Sequence, residues 1–288
     1  MGAIDVWSQI TTQRMADRPW METLLRWTGR PGDWSIPDVA GTVAAMDAAD
    51  VDIMFLSAWQ GPEGSLISNE EVAQSIDAAP DRFRGLATVD INNPVEAVRD
   101  IRRWVDGDRF VGVRLVPWLL DLPPNDRRFY PIYVACVEAG VPFCTQIGHT
   151  GPLCRSEPGR LIPYLDDVLL DFPDLKVVGG HVGFPWIGEL VSLSLKYPNL
   201  YADTSAYVVH RLPEDFVKFM KGPGQSRVMF GTNWPMLSKS SGRSMRINRS
   251  SAGLRLSLPP QTMHPPSASA TRRKARVSRS TGAMTSMV

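Results

Sequence analysis

Short apolar runs recur along residues 3–235 and are separated by longer amphipathic stretches, with a repeat of about 30 residues. Most of these runs are rich in β-branched residues, which is typical of strands buried on both faces of a parallel sheet. The pattern predicts eight strands, at residues 3–9, 51–59, 84–91, 110–117, 141–149, 175–182, 199–206 and 227–235.

The stretches between these runs carry the signals of helices. Ser35 and Pro37 mark one start, because serine caps a helix and proline suits its first turn. Glutamates complement the helix dipole at the start of the next stretch, and Asn93-Pro94 opens the third. The pattern predicts seven helices, at residues 35–50, 68–80, 93–107, 129–140, 160–172, 186–197 and 213–222.

Strands that alternate with helices predict parallel strands joined by helical crossovers. Eight strands and seven helices match a (β/α)8 TIM barrel whose last helix is missing. A doubly wound open sheet is the alternative, and it usually has a glycine-rich phosphate loop after its first strand. The segment after the first run reads "DVWSQITTQRM" and has no such loop, so the barrel is favoured.

The charge distribution divides the chain into residues 1–237 and 238–288. The net charge is +1, yet all 30 acidic residues lie at or before Asp215, and the second segment has no aromatic residue. We interpret residues 1–237 as the barrel domain. The rest is either a basic disordered tail that contacts an anionic partner or, as we prefer, sequence read out of frame. Translation of the other two frames beyond codon 237 would distinguish these interpretations.

Composition narrows the class of partner. The body, residues 1–237, has a net charge of −9, which argues against nucleic acid as its ligand. We predict no membrane segment and no signal peptide. Three cysteines without paired spacing indicate free thiols in a reducing cytoplasm. The predicted partner is therefore a small-molecule substrate, and a homo-oligomer stays open.

Polar residues at the ends of the predicted strands are the candidates for chemistry, because barrel enzymes place their active sites there. His149 ends strand 5 and His181 ends strand 6, each close to a glycine that leaves room for a ligand. Asp203 is a candidate for orienting a neighbouring group or for a simple cap. The remaining candidates are Arg114 in strand 4, Asn233 in strand 8, Trp7 and Gln9 in strand 1, Trp59 in strand 2, and Trp234 after Asn233.

Three segments, "GHVGFPW", "NLYADTSAY" and "RVMFGTNWPM", resemble amidohydrolase family 2, the barrels related to aminocarboxymuconate semialdehyde decarboxylase, resorcylate-type decarboxylases and pyrone-dicarboxylate lactonases. The resemblance implies a divalent metal, usually zinc, held by a His-x-His pair on strand 1, a histidine on strand 5 and an aspartate on strand 8. It assigns His149 to the strand-5 ligand. It places His181 beside the metal, as acid/base group or second ligand, and turns Arg114 toward a substrate carboxylate.

The chain departs from this pattern at three ligand positions. Trp7 and Gln9 stand where the resemblance implies the strand-1 histidines, and Asn233 stands where it implies the aspartate. Zinc prefers thiolate, imidazole or carboxylate ligands, whereas amide oxygens bind it weakly. A weak or different metal, metal-free chemistry through His181, and a barrel that only binds all fit these residues.

We predict a hydrolase that acts on a small carboxylated or cyclic organic compound. His181, Arg114 and Asn233 are the predicted catalytic residues, and His149 and His181 are the predicted metal ligands. The substrate-binding residues are predicted to be Trp7, Gln9, Trp59 and Trp234, since aromatic side chains suit a flat substrate. The alternatives are a non-oxidative decarboxylase of the same family and a catalytically inactive barrel.

Overall fold

The computed structural model describes residues 2–27 and 36–236. Eight parallel strands follow one another in a single sheet, in the order of the chain. They are β1 (Ala3–Ser8), β2 (Val51–Ser57), β3 (Phe83–Ala87), β4 (Phe110–Leu115), β5 (Phe143–Gln146), β6 (Val177–Gly180), β7 (Leu200–Asp203) and β8 (Val228–Met229).

Backbone hydrogen bonds between β1 and the segment after β8 close the sheet into a TIM barrel. The Val6 amide donates to the Phe230 carbonyl at 3.0 Å, and the Asn233 amide donates to the Trp7 carbonyl at 2.8 Å. The Gln9 amide donates to the Trp234 carbonyl at 3.0 Å. These bonds bring Trp7, Gln9 and Asn233, the three residues that depart from the family pattern, to a single seam.

Helices surround the barrel. They are α1 (Gln13–Ala16), α2 (Pro19–Trp27), α3 (Val39–Ala49), α4 (Asn69–Ala78), α5 (Pro94–Trp104), α6 (Pro117–Leu120), α7 (Tyr130–Ala139), α8 (Tyr164–Asp171), α9 (Ile187–Lys196) and α10 (Glu214–Lys221). Local sequence explains several starts: Ser68 and Glu71 form a reciprocal capping box on α4, and Asn93 caps α5. None of the helices in the described ranges is long and apolar enough to cross a membrane.

The hydrophobic core has an outer and an inner part. The outer part fills the space between strands and helices, with Phe143 and Leu165 among its fully buried members. The inner part is a smaller apolar cluster to which every strand from β2 to β8 contributes, so it lies inside the barrel; its members are Phe55, Leu86, Val111, Cys144, Val178, Tyr201 and Met229. It fills the barrel below the strand ends that carry the candidate residues.

The structure confirms the predicted barrel and its alternation of strands and helices. Each predicted strand and helix is present, although most are shorter than the apolar runs suggested. One prediction was wrong in detail: Trp59 does not end β2 but starts a separate antiparallel hairpin formed by Trp59–Gly61 and Gly64–Ile67. The predicted tail, residues 238–288, lies outside the described residues.

Candidate active site

The candidate residues lie on the layer above the inner apolar cluster. Asp203 follows Tyr201 by two positions along β7, and Arg114 follows Val111 by three along β4, where an irregular pairing with β3 at Val111 shifts the alternation. Since alternate residues of a strand share a face, Asp203 points into the barrel as Tyr201 does. Arg114 is 1% exposed and donates a hydrogen bond from Nη2 to the Val6 carbonyl at 3.0 Å.

Trp7 fills the centre of this layer. The guanidinium carbon of Arg114 lies 3.6 Å from the centre of the Trp7 ring, a close cation–π contact. The imidazole of His181 contacts Trp7 as well, with ring centroids 4.7 Å apart. Gly180 provides the space, because a Cβ at that position would lie 2.2 Å from the indole. The indole is thus held between a cation and the candidate catalytic imidazole.

A hydrogen-bonded series runs from β7 to His181. Nδ1 of His181 lies 2.7 Å from the Ser205 hydroxyl, which is itself hydrogen-bonded to Oδ1 of Asp203. The same carboxylate oxygen accepts the Ser205 amide at 2.9 Å. His181 has a positive φ of 73°, which is uncommon for a residue other than glycine, at the turn that follows β6. Asp203 and Ser205 therefore anchor an imidazole that the backbone holds in a tight turn.

Burial controls the charge of this layer. It lowers the pKa of His181 to about 3, and the positive charge of Arg114 adds to the effect. The imidazole is neutral at neutral pH for this reason. Burial lowers the pKa of Arg114 to about 10, which leaves the guanidinium charged, and burial raises the pKa of Asp203. Nε and Nη1 of Arg114 are buried with no hydrogen-bond partner among the described residues.

Asp5 is a further buried carboxyl that the sequence analysis missed. It is 0% exposed and links β1 to the segment after β8, accepting the Thr232 amide at 3.0 Å and the Thr232 hydroxyl. Burial raises the pKa of Asp5 to about 7, and the negative charge of Asp203 contributes in the same direction. Its spacing of two from Trp7 along β1 was the signal available in the sequence.

Gln9 and Asn233 contact each other. Nε2 of Gln9 donates to Oδ1 of Asn233 at 3.3 Å and to the Trp234 carbonyl at 2.5 Å. Oε1 of Gln9 is buried without a partner in the part of the chain that the structure describes. The Asn233 oxygen is therefore engaged by an amide donor.

These residues do not fit the metal that the family resemblance implies. Within residues 2–27 and 36–236, no group of three or more histidine, cysteine, aspartate or glutamate side chains is arranged to hold a metal ion. Trp7 presents only an N–H donor at a position where a ligand needs a lone pair, and its ring lies against the Arg114 cation. His149 and His181 alone retain the expected ligand type.

His149 lies among aromatic rings at the same end of the barrel. Its ring centroid is 6.0 Å from that of Trp27 and 5.8 Å from that of Phe184, and Phe184 is in turn 6.4 Å from Tyr207. Trp27, Phe184 and Tyr207 were not among the candidates from the sequence. Since Phe184 is 44% exposed, this row of rings is open to solvent.

The structure does not bring all predicted substrate-binding residues to the layer that holds Trp7, Arg114 and His181. Trp59 is buried and packs edge-on against Trp118 at 6.3 Å. Trp234 lies in the outer core, and its indole nitrogen donates to the Thr42 hydroxyl of α3 at 3.4 Å. Arg114 lies in this layer but packs against Trp7, so its contact with a substrate carboxylate stays a prediction.

Solved structures with the same fold provide the comparison for this site. An uncharacterised TIM-barrel protein from Bordetella bronchiseptica matches with a TM-score of 0.69 and 24% identity, over 82% of this chain and 87% of that one. A 5-carboxyvanillate decarboxylase from Novosphingobium aromaticivorans, complexed with manganese and 4-hydroxy-3-methoxy-5-nitrobenzoic acid, matches with a TM-score of 0.61 and 17% identity, over 86% and 95%. A probable 2-pyrone-4,6-dicarboxylic acid hydrolase from Acinetobacter baumannii matches with a TM-score of 0.58 and 16% identity, over 88% and 99%.

The family itself is established by sequence. The family model described as Amidohydrolase matches residues 37–264, which is most of the chain and continues past residue 237, where the charge pattern placed the end of the barrel domain. The matched range includes β2 to β8, and with them the histidines at the ends of β5 and β6. The chain therefore belongs to amidohydrolase family 2.

Proposed function

We propose that the protein is a non-oxidative decarboxylase, a carbon–carbon lyase, that acts on a small aromatic compound carrying a carboxylate and a hydroxyl group. The observation that carries the proposal is His181, a neutral imidazole held at the end of β6 by Ser205 and Asp203. Family membership and the likeness to a decarboxylase of a carboxylated aromatic support it.

Decarboxylation needs one group that moves a proton to the ring carbon. A neutral imidazole accepts the proton of the substrate hydroxyl, and the resulting imidazolium gives it to the ring carbon that bears the carboxylate. The carbon–carbon bond then breaks, CO2 leaves, and its bonding electrons restore the aromatic ring. A solvent proton completes the product hydroxyl. The low pKa of His181 makes the imidazolium a strong donor to the ring carbon, and the negative charge of a bound substrate carboxylate raises that pKa so that the imidazole can first accept the hydroxyl proton.

Decarboxylation fits the residues better than hydrolysis does. A hydrolase must position and activate an attacking water, and Asn233, at the strand-8 position, supplies no carboxylate to assist His181 in doing so. Decarboxylation needs no attacking water. Its substrate ring also suits the exposed aromatic row of Trp27, Phe184 and Tyr207, since flat rings pack well against such side chains.

A barrel that binds a small molecule without turnover is the second candidate. The position of Trp7 favours it, because the indole occupies the space between Arg114 and His181 where a substrate would otherwise approach both groups. The two candidates differ in whether CO2 is released.

The test is CO2 release from a panel of hydroxybenzoates and related carboxylated rings. We expect the wild-type protein and a control, His210→Gln at an exposed histidine, to release CO2 at equal rates. His181→Gln should lower the rate by about 100-fold or more, the usual contribution of a positioned proton carrier. Saturable quenching of tryptophan fluorescence without CO2 release would favour the binding protein, and an unchanged rate for His181→Gln would contradict the proposed role.

A further inference from the structure

The hydrogen-bond series at the end of β7 assigns a tautomer to His181. We infer that Asp203 and Ser205 act as positioning residues that hold His181 as the Nδ1–H tautomer and leave the lone pair on Nε2. The inference concerns the imidazole on which the proposed function rests, yet it is testable without any substrate.

Ser205 has one hydroxyl hydrogen and two potential partners for it. A serine hydroxyl has one hydrogen to donate and accepts through its lone pairs. Its oxygen is in hydrogen-bonding contact with both Oδ1 of Asp203 and Nδ1 of His181, the latter at 2.7 Å. It can donate to only one of the two, so it must accept from the other.

Asp203 is the group that receives the serine hydrogen. Its Oδ1 already accepts the Ser205 amide at 2.9 Å, which identifies this oxygen as an acceptor. A carboxylate is also the stronger acceptor of the two, because hydrogen bonds to a charged group are stronger than neutral ones. Ser205 therefore accepts from His181, and Nδ1 of His181 carries the hydrogen.

Nε2 is then the ring nitrogen that keeps a lone pair and can accept a proton. The side-chain hydrogen bond that the described residues give this imidazole is on Nδ1, while the indole of Trp7 packs against the ring. In a neutral imidazole only one nitrogen carries a hydrogen, so fixing it on Nδ1 leaves Nε2 as an acceptor. The "DTS" spacing of residues 203–205 thus places a carboxylate and a hydroxyl in series behind the imidazole.

The experiment is 15N NMR of the full-length protein with labelled histidine at neutral pH. Each tautomer gives distinct ring-nitrogen shifts, and the spectrum of His181→Gln assigns the signals among the four histidines. We expect a protonated Nδ1 and an unprotonated Nε2 at His181. Ser205→Ala should lower the ratio of Nδ1–H to Nε2–H tautomer by about tenfold, in line with the loss of one hydrogen bond, and Ser205→Thr should restore it.

Thr204→Ala is the matched control, since this neighbouring hydroxyl lies near the Gly231 carbonyl at 3.4 Å and not near His181. It should leave the tautomer unchanged. An Nε2–H signal in the wild-type protein would overturn the inference, even if Ser205→Ala does not fold. So would a Ser205→Ala protein that keeps the wild-type ratio. Because the readout is not activity, a protein that releases no CO2 would contradict the proposed function and leave this assignment standing.

Discussion

The side chain of Trp7 occupies the middle of the candidate site and so limits what can bind there. Its ring lies between the Arg114 guanidinium and the His181 imidazole, and the adjacent seam residues Gln9 and Asn233 are paired through their amides. A cation and an indole thus occupy the layer where the family resemblance implies metal ligands. The three residues contact neighbours in this layer: Trp7 packs against Arg114, and Gln9 donates to Asn233.

Restoring the ligand types should restore metal binding. We expect the triple variant Trp7→His, Gln9→His, Asn233→Asp to bind zinc or manganese at least ~100-fold more tightly than the wild-type protein, because imidazole and carboxylate replace donors that bind weakly. Calorimetric titration and elemental analysis measure this. Adding His149→Ala to the triple variant should reverse the gain. A wild-type protein that retains one metal per chain and loses it in His149→Ala would contradict our reading of the site.

Two buried groups of opposite behaviour should make the stability of the protein depend on pH in a characteristic way. Between pH 3.8 and 6.5 the unfolded chain has Asp5 ionised and His181 protonated, whereas the folded protein keeps Asp5 protonated and His181 neutral. The folded state thus holds one more proton at Asp5 and one fewer at His181. Their contributions to the slope of stability against pH oppose each other.

Replacing either residue should reveal the contribution of the other to the pH dependence of stability. For Asp5→Asn we expect the free energy of unfolding to fall, relative to wild type, as the pH is lowered from 6.5 toward 3.8, since the contribution of Asp5, which opposes that of His181, is removed. For His181→Gln it should fall as the pH is raised from 3.8 toward 7, because Asp5 remains. Each slope should approach about 1.4 kcal/mol per pH unit in urea titrations. Variants whose slopes match that of wild type would show that these pKa values are not displaced.

At the scale of the element, the end of β6 shows how a glycine makes room for the site. A Cβ at Gly180 would lie 2.2 Å from the Trp7 ring, which cannot retreat from Arg114 at 3.6 Å. We expect Gly180→Ala to lower the free energy of unfolding by about 1–3 kcal/mol, the usual cost of overpacking. Chemical denaturation provides the measurement.

Gly188→Ala is the control for that variant. Gly188 lies in α9 with nothing within 4 Å of its added Cβ, so alanine should cost nothing and gain up to about 1 kcal/mol from helix propensity. If Gly180→Ala were as stable as Gly188→Ala, the close packing at Trp7 would be refuted.

Elements of regular period were predictable from the sequence, and short ones were not. The strands and the long helices follow from apolar runs and from starts such as Asn93-Pro94, whereas the helix predicted to be capped by Ser35 begins later and is capped by Asp38. The hairpin at Trp59–Gly61 escaped because a three-residue strand is too short to show a period, so its apolar start merged with β2. Whether such a hairpin forms depends on the turn between Gly61 and Gly64, and the conformation of that turn depends on packing.

The candidate site was predictable in location and not in contacts. A barrel brings all strand ends together, so His149, His181 and Arg114 were placed correctly at one end from strand positions alone. Which side chain fills the middle depends on three-dimensional packing, and only the structure reveals that Trp7 does. Ser205 escaped because a serine two residues after an aspartate is common at strand ends and has no distinctive spacing.

At the scale of the whole molecule, the closure of the barrel and the site depend on the same residues. Asp5 and Trp7 on β1 meet Thr232 and Asn233 after β8, and these contacts complete the ring of strands. A TIM barrel hosts many chemistries at this end, so the fold alone does not choose between decarboxylation and hydrolysis. The two reactions differ in which solvent atom the product gains, a hydrogen in decarboxylation and an oxygen in hydrolysis.

Isotope exchange during turnover tests the central claim most directly. The full-length protein is incubated with its best substrate from the carboxylated-ring panel, once in D2O and once in H2-18O, and the products are analysed by mass spectrometry. A decarboxylase exchanges one carboxylate for one solvent-derived hydrogen on carbon, so we expect one deuterium on the ring carbon, release of CO2 and no 18O fixed in the ring-containing product. An 18O atom in the product, with all carbon atoms retained, would identify a hydrolase and contradict the account.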